Sequence, residues 1–241
     1  MYSRGRFLAA GRGLPGLTLA LLPLFSALPA QAAGFAIETQ GAKAMGMAGA
    51  FAAQADDASA IFYNPGAVAF LKKKAAVGLG VTAFSDGHYQ GQPPGIGAGT
   101  TGNENQLFTL PGQVYTVKPL SPAVRLGVGL YSPFGFRTGW QNPASFPGRT
   151  VSTAAELKTY DVNATLAWQA TPGLGLGAGV VYRNAQLQHR RGLESRDPLS
   201  GNLLDVASLS AKTDYDRATG WTAGLLDRIG PLSVGLSYRS P

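Results

Sequence analysis

Cysteine is absent from the chain and histidine is confined to His88 and His189. The first absence removes any disulfide framework and any thiol chemistry. The second leaves no nucleophile with a positioned base in a recognisable motif, so no catalytic residue, metal site or cofactor is expected. Long apolar runs are missing too: beyond residue 32 nothing approaches the roughly twenty unbroken apolar residues of a membrane helix, which excludes a helical membrane protein. Charge is sparse at 14 % of residues, and the formal +7 includes Arg4, Arg6 and Arg12 of the leader described below. Without those three, seventeen basic residues face thirteen acidic ones, and +4 is too mild to argue for nucleic acid.

What is present begins with a leader. Arg4, Arg6 and Arg12 precede an apolar stretch from Leu14 to Leu28, and Ala30-Gln31-Ala32 offers small residues for cleavage, so residues 1–32 read as a secretory signal peptide. Pro15, Pro23 and Pro29 interrupt the stretch and argue against a membrane anchor. Residues 33–71 do not alternate and are rich in alanine and glycine, with Met45, Met47 and Phe51 interspersed. Short, poorly amphipathic helices are the expectation there, halted by the turn Asn64-Pro65-Gly66. Such a segment buries too little to fold alone and needs a surrounding wall.

Residues 72–241 supply that wall as period-two strands. The clearest runs from Leu174 to His189, with Leu174, Leu176, Ala178, Val180 and Tyr182 on one face and Gly175, Gly177, Gly179, Val181 and Arg183 on the other. Six more are expected near 75–83, 107–118, 124–131, 160–168, 220–228 and 232–239, the second weakened by Pro111 and Gly112. Their connections alternate between tight (119–122, 170–173, 229–230) and long (85–106, 133–155, 190–217). Apolar faces on alternating strands with alternating loop lengths describe a transmembrane β-barrel, apolar side chains to lipid and the rest to a lumen. Tyr160, Trp168, Tyr182 and Tyr238 suit its aromatic girdles. Seven strands do not close an antiparallel barrel and bare edges in lipid are costly, so the sequence reads as a fragment or an early-terminated product.

Several short stretches, in this order, carry a resemblance: Ala33-Gly34-Phe35, Ala55-Asp56-Asp57-Ala58, Asn64-Pro65-Gly66, Ser132-Pro133-Phe134-Gly135, Glu156-Leu157-Lys158-Thr159, Leu176-Gly177-Ala178-Gly179 and Tyr238-Arg239-Ser240. Together they resemble the outer-membrane long-chain fatty-acid transporters, FadL-like proteins that include the toluene and aromatic-hydrocarbon uptake proteins. The resemblance implies an all-β membrane protein, a barrel of about fourteen strands with about seven present here, and a small N-terminal helical hatch over residues 33–71. It also implies passive uptake of hydrophobic molecules with lateral exit through the wall. The family's hatch turn is usually Asn-Pro-Ala, and Gly66 stands in place of the alanine.

Candidate site residues follow. Pro133 cannot donate to a ladder and Gly135 weakens a strand, so pairing fails there. Either the strand simply ends in a loop or it kinks inward; the resemblance favours a kink at Ser132, Pro133, Phe134 and Gly135 as the lateral opening. Phe35 is either an unattached terminal aromatic or, by resemblance, a plug in the inner pocket. A fatty-acid carboxylate in an apolar pocket needs a cationic partner. His189 stands where the family has a basic residue, with Arg190 beside it; Arg190 and Arg191 are equally readable as solvated loop charges, and a neutral His189 would leave the charge to Arg190. The expected partners are fatty acids or aromatic hydrocarbons, outer-membrane lipid and lipopolysaccharide, with no nucleic acid and a monomeric state. An outer-membrane enzyme, an adhesive surface barrel and a general porin are the competing classes. The hatch argues against the last two.

Overall fold

Period-two sequence becomes a strand only when its backbone groups find partners, and the computed structural model gives each expected strand an antiparallel neighbour. It describes residues 36–37, 40–72, 74–79, 82–83, 87–90, 101–103, 108–109 and 112–240; the leader and Phe35 lie outside them. Two helical turns, α1 (Ala42–Gly46) and α2 (Ala60–Tyr63), and a 3-10 turn (Pro65–Phe70) come first. The strands are β1 (Lys74–Leu79), β2 (Thr82–Ala83), β3 (His88–Gln90), β4 (Thr101–Asn103), β5 (Phe108–Thr109), β6 (Gly112–Pro119) and β7 (Val124–Tyr131). Then follow β8 (Gly135–Gly139), β9 (Ala154–Gln169), β10 (Leu174–Arg196), β11 (Leu203–Lys212), β12 (Asp216–Ile229) and β13 (Leu232–Arg239).

One antiparallel sheet runs in the order β1-β6-β7-β9-β10-β12-β13, with β8 continuing along β9 and β11 along β10; β2–β5 and β3–β4 are separate short pairs. The seven members of that path are the seven expected strands. No described helix is long and apolar enough to cross a membrane. The long connections differ from expectation, because β3, β4, β8 and β11 form within stretches read as loops. The cause lies in β9 and β10, whose ladder continues without a register shift up to Arg190↔Ala154 and offers edges for β8 and β11.

Burial on β9 alternates in the sense opposite to a soluble protein. Tyr160, Val162, Leu166 and Trp168 are exposed, whereas Thr159, Asp161, Asn163 and Thr165 are buried. Nine residues from Tyr160 to Trp168 match the nine to eleven that a tilted strand needs to span a bilayer. Tyr160, Tyr182, Trp221 and Tyr238 fall in an oblique row across β9, β10, β12 and β13, as the pairs Tyr182↔Val162, Val180↔Trp221 and Ala223↔Tyr238 require. The other face is covered by residues 40–71, whose 3-10 turn packs on β7, β9, β10, β12 and β13. Phe51, Ile61 and Val68 from that segment share one buried cluster with Tyr115, Val117, Tyr131 and Leu226 from the sheet.

Candidate functional site

Docking the N-terminal segment begins with the turn 64–66. Asn64 is fully buried; its Nδ2 donates to the Ala52 and Leu225 carbonyls at 2.7 and 2.9 Å, and its Oδ1 accepts from Gly66 N at 2.9 Å. An amide can donate twice and accept once in this way, and a carboxylate cannot. The turn therefore does more than halt α2: Asn64 caps the 3-10 turn that Pro65 begins. The sheet comes close enough that side chains would not fit. A Cβ on Gly177 would lie 2.2 Å from the Pro65 carbonyl, and one on Gly224 2.2 Å from Asn64 Oδ1. Gly129 and Gly179, by contrast, meet only wall side chains, so these two relieve crowding within the sheet.

A break in the wall lies at residues 132–134. β7 pairs with β9 down to Tyr131↔Asp161, and pairing resumes with β8 at Gly135↔Lys158. Ser132, Pro133 and Phe134 thus oppose only Thr159 and Tyr160, which is a bulge at the residue that lacks an N–H. The strand bends and returns, so Pro133 interrupts the ladder and does not end it. Thr159 substitutes for backbone partners: its hydroxyl accepts from Phe134 N at 3.0 Å and donates to the Phe134 carbonyl, while Ser132 Oγ donates to the Thr159 carbonyl at 2.7 Å. The other flank is held by the N-terminal segment. Ile37 N donates to the Pro133 carbonyl at 2.8 Å beside an Ala36↔Phe134 bridge. Gln40 Nε2 donates to the Ser132 carbonyl at 2.7 Å, and Tyr115 donates to Gln40 Oε1 at 2.9 Å.

Beside this break lies a cavity of about 330 Å³ whose lining includes Ile37, Phe62, Tyr63, Pro133, Phe134 and Arg239. It adjoins an ionic cluster on the buried face. Asp161, fully buried, accepts from Arg183 through both oxygens at 2.8 and 2.9 Å. Arg239 Nη1 lies 3.7 Å from the same carboxylate and donates to the Tyr131 hydroxyl at 2.9 Å, and its Nη2 donates to the Phe62 carbonyl at 3.0 Å. The Arg239 guanidinium stacks 4.4 Å over the Phe62 ring, and that of Arg183 4.8 Å over Phe134. Asn163 Nδ2 also donates to the Tyr131 hydroxyl, at 3.1 Å.

Of the residues singled out from sequence, Asn64, Pro65 and Gly66 come together in the docked turn, and Ser132 to Gly135 in the break. His189 and Arg190 are not brought together. The uninterrupted β9–β10 register puts His189 on the inner face with Arg183 and Arg190 on the outward face with Tyr182. Arg190 lines a separate space of about 80 Å³ with Arg137, Glu156 and Gln188, and neither residue reaches the larger cavity. Sequence reasoning missed Gln40, Tyr115, Tyr131, Thr159, Asp161, Arg183 and Arg239. A charge in mid-strand opposite an apolar face was the available signal for Asp161 and Arg183.

Similar sequences and a similar fold are found among known proteins. The chain is 26 % identical to outer membrane protein P1 of Haemophilus influenzae, over 92 % of this chain and 56 % of that protein. The P1 protein of another Haemophilus influenzae strain gives the same figures. The chain thus spans about half the length of the curated relatives it matches. The crystal structure of a Pseudomonas aeruginosa FadL homologue superposes with a TM-score of 0.63 at 20 % identity, covering 86 % of this chain and 53 % of the other, which establishes the shared fold. The profile of one family, a transport family and not an enzyme family, matches residues 24–241, and with the strand order and face pattern above it shows that this chain belongs to the outer membrane protein transport protein family (OMPP1/FadL/TodX).

Proposed function

We propose that the protein carries hydrophobic molecules, long-chain fatty acids or aromatic hydrocarbons, passively across the outer membrane and releases them sideways through the wall at Ser132–Gly135, without chemistry on the substrate and without a cofactor. One observation supports this above the rest: Pro133 and Phe134, which break the backbone ladder, also line the largely apolar cavity. Unpaired backbone groups facing lipid cost several kcal/mol each, so a break at this depth persists only where other groups satisfy it. Thr159 and Ile37 do so here, and Ile37 belongs to the N-terminal segment and not to the wall.

In this reading residues 33–71 are the hatch, Asn64-Pro65-Gly66 fixes it to the wall, and Phe35 plugs the inner pocket. The leader is cleaved after Ala32, and the mature protein works as a monomer surrounded by outer-membrane lipid and lipopolysaccharide. His189 serves as a contact in the outer part of the passage, and Arg190, turned outward, does not. The test is uptake of labelled oleate and toluene by liposomes carrying the full-length protein. Replacing Pro133 with Val and Gly135 with Thr returns an N–H and strand propensity to the break, and should narrow it and slow uptake severalfold while heat-modifiable migration on gels is kept. Normal uptake by that variant would remove the lateral exit.

A further inference from the structure

We propose that the outward face beyond Tyr160 and Tyr182, on the side of the long connections, is a docking site for a multiply phosphorylated glycolipid of the outer leaflet, the lipid A part of lipopolysaccharide. Arg137 and Arg190 form its centre, with Lys158, Lys212 and Arg217 around them. The site depends on the strands crossing the outer membrane and stands whatever passes through the barrel.

Register decides what this face presents, because residues paired across a ladder point to the same side. Tyr160 is exposed outward, and Lys158 and Glu156 follow it there at a period of two. Arg137 of β8 pairs with Glu156, Lys212 of β11 with Gln188, and Arg217 of β12 with Asn184, so all three leave the sheet on the side of Arg190. The five cations are exposed. Glu156 is the one carboxylate among them up to the register shift at Leu193, 3.7 Å from Arg137 and 3.2 Å from Lys158. Arg190, Lys212 and Arg217 are in no ion pair among the described residues. Elsewhere on the paired outward face the described charges are Lys118 and Asp227, toward the tight turns, and they cancel. Such an excess of cations at one end only matches a leaflet whose headgroups are anionic.

Depth excludes a shallow headgroup. Lys158 lies two residues beyond Tyr160, and Arg190 pairs with Ala154, six residues beyond it; at about 3.3 Å per residue and a tilt near 40°, the cations stand roughly 5 to 15 Å above the girdle. The headgroup layer of an ordinary bilayer is only about 5–7 Å deep on each side, so a phospholipid phosphate meets Lys158 and not Arg190. Three strand spacings from β8 to β11 make the patch roughly 14 Å wide, more than one phosphate covers. Sugars bearing phosphates at more than one position fit both dimensions, and Asn184 and Gln186 on the same face offer amides to sugar hydroxyls. The centre is formed in advance: Arg137, Glu156, Gln188 and Arg190 line the recess of about 80 Å³. Gln188, with its amide oxygen toward Arg190, accepts from Nε at 3.0 Å and Nη2 at 2.8 Å, which fixes the guanidinium and leaves Nη1 for a phosphate oxygen.

The test titrates diphosphoryl lipid A, monophosphoryl lipid A and phosphatidylglycerol into the full-length protein in detergent, with EDTA present so that no divalent ion bridges a phosphate to Glu156. Wild type should bind the diphosphoryl form at least tenfold more tightly than phosphatidylglycerol, with the monophosphoryl form between them. Arg137→Gln combined with Arg190→Gln should weaken binding of the diphosphoryl form at least tenfold, and Lys118→Gln, at the other end of the wall, should leave it unchanged. Equal affinities of wild type for diphosphoryl lipid A and phosphatidylglycerol would overturn the proposal, as would wild-type binding by the double variant or an equal loss in Lys118→Gln. Should the double variant lose heat-modifiable migration, Lys158→Gln combined with Lys212→Gln takes its place, with a loss of at least threefold expected and unchanged binding decisive against the site.

Discussion

The two faces of β9 follow opposite rules. Outward, Tyr160, Leu166 and Trp168 are 46, 54 and 52 % exposed, while inward Asp161, Asn163 and Thr165 have no exposure at all. In water such a surface would drive association, since contiguous exposed apolar area marks an interaction surface. In lipid it is the ordinary condition of a barrel wall. The outward side chains need only be apolar, so many sequences would serve. The inward ones must find particular partners: Asp161 takes Arg183, and Asn163 takes the Tyr131 hydroxyl and the Ile61 carbonyl. The outer face specifies the solvent, and the inner face specifies what docks.

Substitutions inside should therefore cost more than those outside. The largest effect is expected from Gly177→Val, because even its Cβ would sit 2.2 Å from the Pro65 carbonyl and backbone cannot yield as a side-chain tip can. A loss above about 4 kcal/mol of folding free energy, or undocking of residues 40–71 from the sheet seen as a rise in ion conductance, is the expected outcome. Wild-type stability with a closed barrel would contradict the close approach. Next comes Asp161→Asn, which raises the surplus charge of the cluster from one to two. It should cost about 3–5 kcal/mol in urea titrations of the reconstituted protein. The double change Asp161→Leu with Arg183→Met returns the surplus to one and should recover most of that loss.

The same contrast governs what was legible in the sequence. Lipid demands only period two, so the wall could be read directly, and for Val124–Tyr131 and Leu232–Arg239 the expected and observed boundaries coincide. β11 escaped notice because it lies where both faces are wet: its side chains from Leu204 to Lys212 are exposed, and no alternation is required of them. The ionic cluster was legible only as a polar face. Pairing Asp161 with Arg183 needs the β9–β10 register, and joining Arg239 to Phe62 spans 177 positions that only the order of the sheet brings together. The family resemblance pointed to His189 and Arg190 for the cation, near the outer end of the expected strand, whereas the cavity draws its cation from β13.

Outside, the cost should depend on depth. Ala164 stands midway between Tyr160 and Trp168 on the outward face, so Ala164→Arg should cost about 2–4 kcal/mol, and Tyr160→Arg, at the girdle, no more than about 1. Equal penalties at the two positions would mean that this face does not cross a bilayer from one girdle to the other.

The smallest effect belongs to the hairpin that joins β10 and β11, beyond both faces. There Ser200 Oγ donates to Asp197 Oδ2, and Leu199 N donates to Oδ1 at 3.0 Å. The turn closes through Gly201 N to the Asp197 carbonyl at 2.8 Å, with Gly201 at a φ of +71°. These bonds favour the ionised carboxylate, the Ser200 hydroxyl foremost, and hold its pKa below the ordinary value. A group depressed on folding contributes its stabilisation above its unfolded pKa and loses it as pH falls through the folded one. Amide exchange at Leu199 and Gly201, corrected for the intrinsic pH dependence, should therefore be slower at pH 5 than at pH 2, and Asp197→Asn should flatten the difference. Because the turn is solvated, barrel stability should not change with it, and a change there would mean that the hairpin is bound to the wall more tightly than its exposed side chains indicate.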